Sequence, residues 1–207
     1  MKRILALILA RKGSVRLKNK NILKLINKSL IEWTFETINK KNIRRLFVDV
    51  LVSTDSRTIL TISKKYNFLA PWIRPKKIST RFTSSVESAL HAIDWYEKKI
   101  QKLDGVFLFQ PTSPFRNEKK IFQAVKLFTK TNNQIASVAS KKIFKFNKND
   151  VNGSIYITSV NHLKKYKTFL KSNFIKIKMK SEIENIDIDT IEDFKHAILL
   201  YKSLNKK

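Results

Sequence analysis

Cysteine is absent from the 207-residue chain, which excludes disulfides and thiolate metal sites. Glycine is reduced to Gly13, Gly105 and Gly153. In a chain that has shed the residue elsewhere, these three are expected where positive φ or close approach demands it. Acidic residues are few, 16 against 43 Lys and Arg, giving a net charge of +27. Such a charge can serve phosphate binding by counterion release. Here, however, 34 of the basic residues are Lys, and Lys, Ile, Asn and Phe together fill 89 positions, all encoded by A/T-rich codons. The lysines form no single block and no aromatic-interleaved patch, so base-composition drift is favoured over a nucleic-acid partner. No stretch approaches the length of a membrane span. The opening Met1 to Ala10 resembles a short signal peptide, but its apolar run ends at Arg11-Lys12 without a polar cleavage region. A buried first strand and a soluble, cytoplasmic protein are expected instead.

What is present suits one globular domain: 43% of the residues are hydrophobic, and no linker or internal repeat divides residues 1–207. Apolar runs alternate with amphipathic stretches, which favours an α/β sheet with helical crossovers. Strands are expected at Ile4 to Leu9, Phe47 to Val52, Leu69 to Ile73, Val106 to Phe109, Ile135 to Ala139, Gly153 to Thr158 and Phe174 to Met179. Helices are expected at Leu30 to Lys40, Arg57 to Tyr66, Ser84 to Lys99, Glu118 to Lys130 and Ile191 to Leu204. The long helix presents Val86, Leu90, Ile93 and Ile100 on one face, and Thr54 or Asp55 is expected to cap the helix at Arg57. Residues 140–151 are basic and poor in pattern, a loop.

The polar segments all follow expected strands: Ala10 to Asn21, Ser53 to Asp55, Arg74 to Ser85 and Gln110 to Arg116. In open α/β sheets ligands sit beyond the carboxyl ends of strands, so these segments converge on one edge. The first is a basic loop able to hold a polyphosphate through a backbone nest and charge-assisted bonds. It lacks both the G-x-x-x-x-G-K-[ST] phosphate loop and the three-glycine dinucleotide fingerprint.

Combined with Gln110-Pro-Thr-Ser-Pro-Phe-Arg116, Asn152-Gly-Ser-Ile-Tyr-Ile157 and Ile186-Asp-Ile-Asp-Thr190, this loop gives a sequence that resembles the acylneuraminate cytidylyltransferases, from about Arg3 to Phe194. The family's pattern reads I-x-A-R-x-x-S-K-x-L-x-x-K-N, a strand ending in S-T-D, R-P with a later S-S, Q-P-T-S-P-x-R, N-G-x-I-Y and D-I-D-T. The resemblance implies a Rossmann-like, three-layer α/β nucleotidyltransferase fold with a mainly parallel central sheet. It also implies transfer of CMP from CTP to the anomeric hydroxyl of a nonulosonic acid, with Mg²⁺ as cofactor and a homodimer as the assembly.

By motif position, Arg11, Lys20 and Asp187 would be catalytic. Ala10, Arg11, Gly13, Ser14, Lys20, Asn21, Arg74 and Ser84 would bind the nucleotide, Gln110 and Tyr156 the sugar acid, and Asp187 and Asp189 the metal. The residues themselves offer plainer readings beside these. Asp189 or Thr190 could cap the last helix, Tyr156 could be a half-buried strand tyrosine, Arg116 could brace its own loop, and Asp55 reads first as a cap. His91, expected on a helix surface, His162 and His196 share no spacing that makes a metal site or triad.

The chain departs from the pattern at Val15, where Lys is common, with Arg16 a possible substitute, and at Arg81, where Asp is common. Segment 140–151 is several tens of residues shorter than usual. Lys141, Lys142 or Lys145 could replace one cation of the missing stretch. The competing readings are a cytidylyltransferase for the eight-carbon acid Kdo, a catalytically impaired relative, and a basic nucleic-acid-associated protein.

Overall fold

The run Ile4–Ala10 forms the strand β1, and its alternate side chains enter different cores. The computed structural model describes residues 2–14 and 16–205. Ile4, Ala6 and Ile8 join one cluster, while Leu5 and Leu7 join another on the opposite face. A strand covered on both faces must be apolar throughout, as this one is. β1 pairs in parallel with β4 (Val50–Thr54) and β5 (Gly105–Phe109). β7 (Val151–Ser159) runs antiparallel to β5 and to β6 (Ile135–Ala139), and β6 is parallel to β8 (Ile175–Met179). The six-stranded order is β4-β1-β5-β7-β6-β8, with β7 the single reversed strand. A separate small hairpin pairs β2 (Lys24–Leu25) with β3 (Lys28–Ser29).

Helices cover both faces, giving three layers. On one side lie α1 (Leu30–Asn39), α3 (Arg57–Lys65) and α5 (Glu118–Thr131), whose Phe35, Ile59 and Phe128 enter the first cluster. The short α2 (Lys41–Arg44) adds Ile43 there. On the other side lie α4 (Ser85–Lys99) and α6 (Val160–Tyr166), through Ile93, Tyr96 and Leu163. A third cluster joins Leu25 and Leu30 to Ile186, Ile188 and Phe194, so that α7 (Ile191–Leu204) packs beside the hairpin.

The carboxyl ends of β1, β4 and β5 lie at one edge. Because β7 is reversed, its first residues, Asn152 and Gly153, lie at the same edge. The fold is the expected mainly parallel α/β architecture. The expected strand at Leu69 to Ile73 is reduced to isolated bridges, Leu51 to Leu69 and Thr54 to Ile73; Pro71 between them has no N–H to donate to a ladder. The face of α4 is also rotated from the expected one. Ala89, Ala92, Ile93 and Tyr96 are buried, Val86 and Leu90 pack at the margin, and Ile100 is an exposed C-cap. His91 is half-buried, its ring 5.4 Å from that of Trp72.

Of the three glycines, Gly105 and Gly153 meet the geometric expectation. Gly153 has φ +80°, and a Cβ at Gly105 would lie 2.5 Å from the buried Phe128 ring and 3.2 Å from the Thr158 carbonyl. Gly13 does not: nothing lies within 4 Å of its Cβ position and its φ is not positive. Gly105→Ala is therefore expected to cost about 1–3 kcal/mol by overpacking, read as a lower denaturant midpoint at unchanged slope, whereas Gly13→Ala should leave the midpoint in place.

Candidate active site

β1 empties into a loop that is pinned at both ends. The Lys12 N–H donates to Asp55 Oδ1 at 2.6 Å, and the buried Asn21 donates through Nδ2 to the Arg11 carbonyl at 2.9 Å. Asn19 turns the chain through the left-handed region at φ 54°. Asp55 is thus not the cap of α3. Ser56 is, its Oγ accepting from the Ile59 N–H, because the extended residue directly before the first turn is the one whose side chain reaches back. Val15 lies outside the described residues.

Beside this loop stands Arg74, only 3% exposed, with Nε donating to Ser79 Oγ and the guanidinium 4.0 Å from Asp55. Burial pulls its pKa down; Asp55 opposes the fall and the Arg11 charge adds to it. Two cations therefore repel across a partly desolvated space, which favours an anion between them.

That space is a cleft of about 250 Å³. Of the expected residues it brings together Arg11, Ser14, Lys20, Asn21, Arg74, Ser84, Gln110 and Asp189. Ala10, Gly13, Tyr156 and Asp187 are not on its wall, and Ala10 is fully buried in the strand beneath. Ser84 has a second task as the N-cap of α4, in a reciprocal box with Glu87. Ser88, one turn on, also faces the cleft, as does Thr112. Neither was singled out from sequence, although the i, i+4 spacing from Ser84 is the signal that identifies Ser88.

The fourth wall is the segment before α7. Its Ile188 N–H donates to the Thr112 carbonyl at 2.8 Å, and a buried network of Ser137, Asn152 and Asn185 ties its approach to β6 and β7. Asp189 faces the basic loop, 2.8 Å from Lys20 Nζ and 2.9 Å from Arg16. Burial raises its pKa, but the hydrogen bond and charge of Lys20, with Arg16, outweigh that and hold it below the usual range. Asp187 sits deeper, with Oδ1 3.6 Å from the Cβ position of Gly153, where Gln110 Oε1 also approaches to 3.2 Å. Burial pushes its carboxyl up against a hydrogen bond from Thr112, and the Asp189 charge adds to the rise. The cap of α7 is Thr190, in a reciprocal box with Asp193, which leaves the Asp189 carboxylate to the cations.

Arg116 is buried and donates to the Ser154 carbonyl, the Thr34 hydroxyl and the Gln110 carbonyl. Burial pulls it down to about 9, with Asp187 acting in the other direction. It braces the loop after β5 against β7 and α1.

The sequence model described as cytidylyltransferase matches residues 5–202. The chain belongs to the cytidylyltransferase family. It is 31% identical to the N-acylneuraminate cytidylyltransferase of Escherichia coli O18:K1:H7, over 99% of this chain and 54% of that protein, so it spans about half that relative's length. Identity to the CMP-N,N'-diacetyllegionaminic acid synthase of Legionella pneumophila is 29%, over 93% of each chain. To the pseudaminic acid cytidylyltransferase of Campylobacter jejuni O:2 it is 28%, over 96% of each. Among solved structures, a CMP:2-keto-3-deoxy-manno-octonic acid synthetase complexed with CTP superposes with a TM-score of 0.67 at 12% identity, covering 98% of this chain and 99% of that one. The 4-diphosphocytidyl-2C-methyl-D-erythritol synthase of Anaerococcus prevotii also gives 0.67, at 15% identity, over 97% and 96%. At such identities the structures establish the shared fold.

On the far side of this cytidylyltransferase's cleft, Tyr156 is half-buried on β7 opposite Leu108, its ring centroid 6.2 Å from that of Phe169, and burial with the Asp187 charge pushes its hydroxyl up to about 12. The three histidines stand apart. His91 lies against Trp72, His162 is buried beside Tyr166, and His196 contacts Glu182. Arg81 is exposed, over the ring of Phe82.

The raised carboxyl of Asp187 has a consequence for stability. The folded chain keeps that proton to a higher pH than the unfolded chain, so stability declines as pH rises through the interval between the two pKa values, and the deficit persists above it. In metal-free buffer Asp187→Asn is expected to melt higher than the wild type at a pH of about 8 and to converge on it near a pH of about 4. Identical melting curves at the higher pH would contradict the buried, uncompensated carboxylate.

Proposed function

We propose that this cytidylyltransferase moves CMP from CTP to the anomeric hydroxyl of a nonulosonic acid and releases pyrophosphate. The observation that carries the reading is the convergence of Arg11, Lys20, Arg74 and Asp189 around one cleft at the carboxyl edge of the sheet, with Asp187 set deeper on the same segment as Asp189. The relatives named for sialic-type, legionaminic and pseudaminic acids support the acceptor class.

Phosphoryl-type transfer asks little covalent chemistry of a protein; it asks for aligned reactants and neutralised charge. Arg11 and Lys20 would bind the triphosphate and stabilise the negative charge that accumulates on pyrophosphate as the bond from the α-phosphorus to its bridging oxygen breaks. Ser14 and the backbone around Gly13 would complete the phosphate contacts. Asn21 holds the Arg11 carbonyl and thereby the loop's shape. Arg74 and Ser84, on the opposite wall, fit the nucleoside. Gln110, at the boundary between the cleft and Gly153, would orient the acceptor, with Tyr156 behind it.

The carboxylate pair fits a hard divalent cation. Among the described residues no group of three or more metal-ligating side chains encloses an ion, but Mg²⁺ characteristically binds one or two carboxylates and completes its shell with phosphate oxygens and water. Asp187 and Asp189 would hold it, and it supplies neutralisation of the triphosphate when bound. The homodimer expected from the resemblance and a cytoplasmic location belong to the same reading. No helix of the described residues is long and apolar enough to cross a membrane.

The test is pyrophosphate release from CTP and Mg²⁺ with sialic, legionaminic and pseudaminic acids and Kdo, with the CMP-sugar identified by mass. Turnover is expected with a nonulosonic acid. Arg11→Ala and Asp187→Ala should each lower kcat by about 10²-fold or more while the fold survives. Turnover with Kdo alone would transfer the reading to the eight-carbon acid. No turnover with any acid, despite CTP binding, would mark an impaired relative. Full activity in both variants would refute the site.

A further inference from the structure

The short segment between β6 and β7 is largely exposed, yet it folds back on the chain before α7. Ile143 and Phe146 exchange both backbone hydrogen bonds, each 2.8 Å, closing a two-residue turn at Phe144-Lys145. Phe144 has φ +44°, a left-handed value for a residue with a bulky side chain. Strain of this kind persists only where the surroundings hold it, and it points to a use for what the turn presents. The two central residues reach the same target. Lys145 Nζ donates to the Asp187 backbone carbonyl at 2.6 Å and to Asp193 Oδ2 at 2.9 Å. The Phe144 ring stacks on His196, one turn further along α7, at 4.1 Å between centroids and 8° between planes.

The Asp193 oxygen that takes the lysine also accepts the Asp189 N–H at 2.8 Å and the Thr190 N–H at 3.0 Å. One ammonium group therefore touches the backbone of the first carboxylate and, through Asp193, the backbone of the second. We infer that the 143–146 turn is a latch in which Lys145 positions the Asp187–Asp189 segment for its cation and triphosphate, with Phe144 seating the turn on α7. Lys145 is a positioning residue and touches no reacting atom. The inference rests on the reading of the carboxylate pair given above. It assigns the shortened segment a task within its own chain, through groups that lie 42 and 48 positions away in sequence.

The test uses Lys145→Met, Lys145→Arg and Phe144→Ala in the whole chain, with melting curves to establish that each is folded. Amide hydrogen exchange of residues 187–193 is measured without metal, and Mn²⁺ binding in the presence of CTP, without an acceptor, is followed by electron paramagnetic resonance. In Lys145→Met, exchange over the segment should quicken and Mn²⁺ affinity should fall about tenfold, the scale of lost support behind a metal ligand. Phe144→Ala should move both in the same direction, and Lys145→Arg should recover most of the loss. Wild-type exchange and affinity in Lys145→Met would overturn the latch. Faster exchange with unchanged Mn²⁺ affinity would overturn it as well, leaving a structural contact only. A wild-type chain that binds CTP and Mn²⁺ nowhere would sink the functional reading itself, and the latch would fall with it.

Discussion

A guanidinium buried in the centre of the molecule is the constraint on which the site depends. Arg116 has little solvent to satisfy its donors, so the fold must supply acceptors, and it does so from three segments: the chain just after β5 at Gln110, β7 at Ser154 and α1 at Thr34. Each charge-assisted bond of this kind contributes about 1.5–3 kcal/mol, and an unmatched buried charge costs more than any one of them returns. The loop Gln110 to Arg116 consequently has one position. Gln110 is held beside Gly153, Thr112 is held where its carbonyl receives Ile188, and the segment carrying both aspartates is aligned along that loop. The Asp187 charge in turn acts on Arg116 from across the loop. The carboxylate thus offsets part of what burial takes from the guanidinium.

This explains why Gly153 is retained in a chain that keeps so few glycines. Its φ of +80° disfavours a side chain, and three oxygens, from Gln110, Ser113 and Asp187, crowd the space a Cβ would fill. The reversal of β7 brings that residue to the carboxyl edge at all. A strand parallel to the others would present its far end there and place Asn152 and Gly153 at the opposite side of the sheet.

Much of this was legible in the sequence because it is local. Fully apolar runs marked the buried strands, and Ile135 to Ala139 and Ile191 to Leu204 fall where the pattern put them. Ser84 was legible as a helix boundary because its partner Glu87 is three residues away. What escaped depends on partners distant in sequence. Asp55 looks like a cap beside α3, yet it serves the Lys12 N–H, 43 positions back. Residues 140–151 look patternless because Lys145 answers to α7. α6 and α2 are too short, at seven and four residues, to show a period. Gly13 misled for a different reason: the scarcity of glycine suggested a geometric need that the open space around it removes.

The ion pairs at the cleft are best understood as partners waiting to be exchanged. Lys20 and Arg16 both pair with Asp189 at the mouth of the site, while the buried Arg74, 4.0 Å from Asp55, is pulled down by burial and by the Arg11 charge. On the proposed reading, a triphosphate bound with a divalent cation would satisfy both sets, with phosphate oxygens at Lys20 and the cation held by Asp187 and Asp189. Either component alone would then meet like charge, a metal the basic side chains and a triphosphate the two aspartates. On that reading joint entry would relieve both repulsions, and the cleft would take the metal–nucleotide complex in preference to either part. That preference would follow from the distribution of charge around the cleft alone.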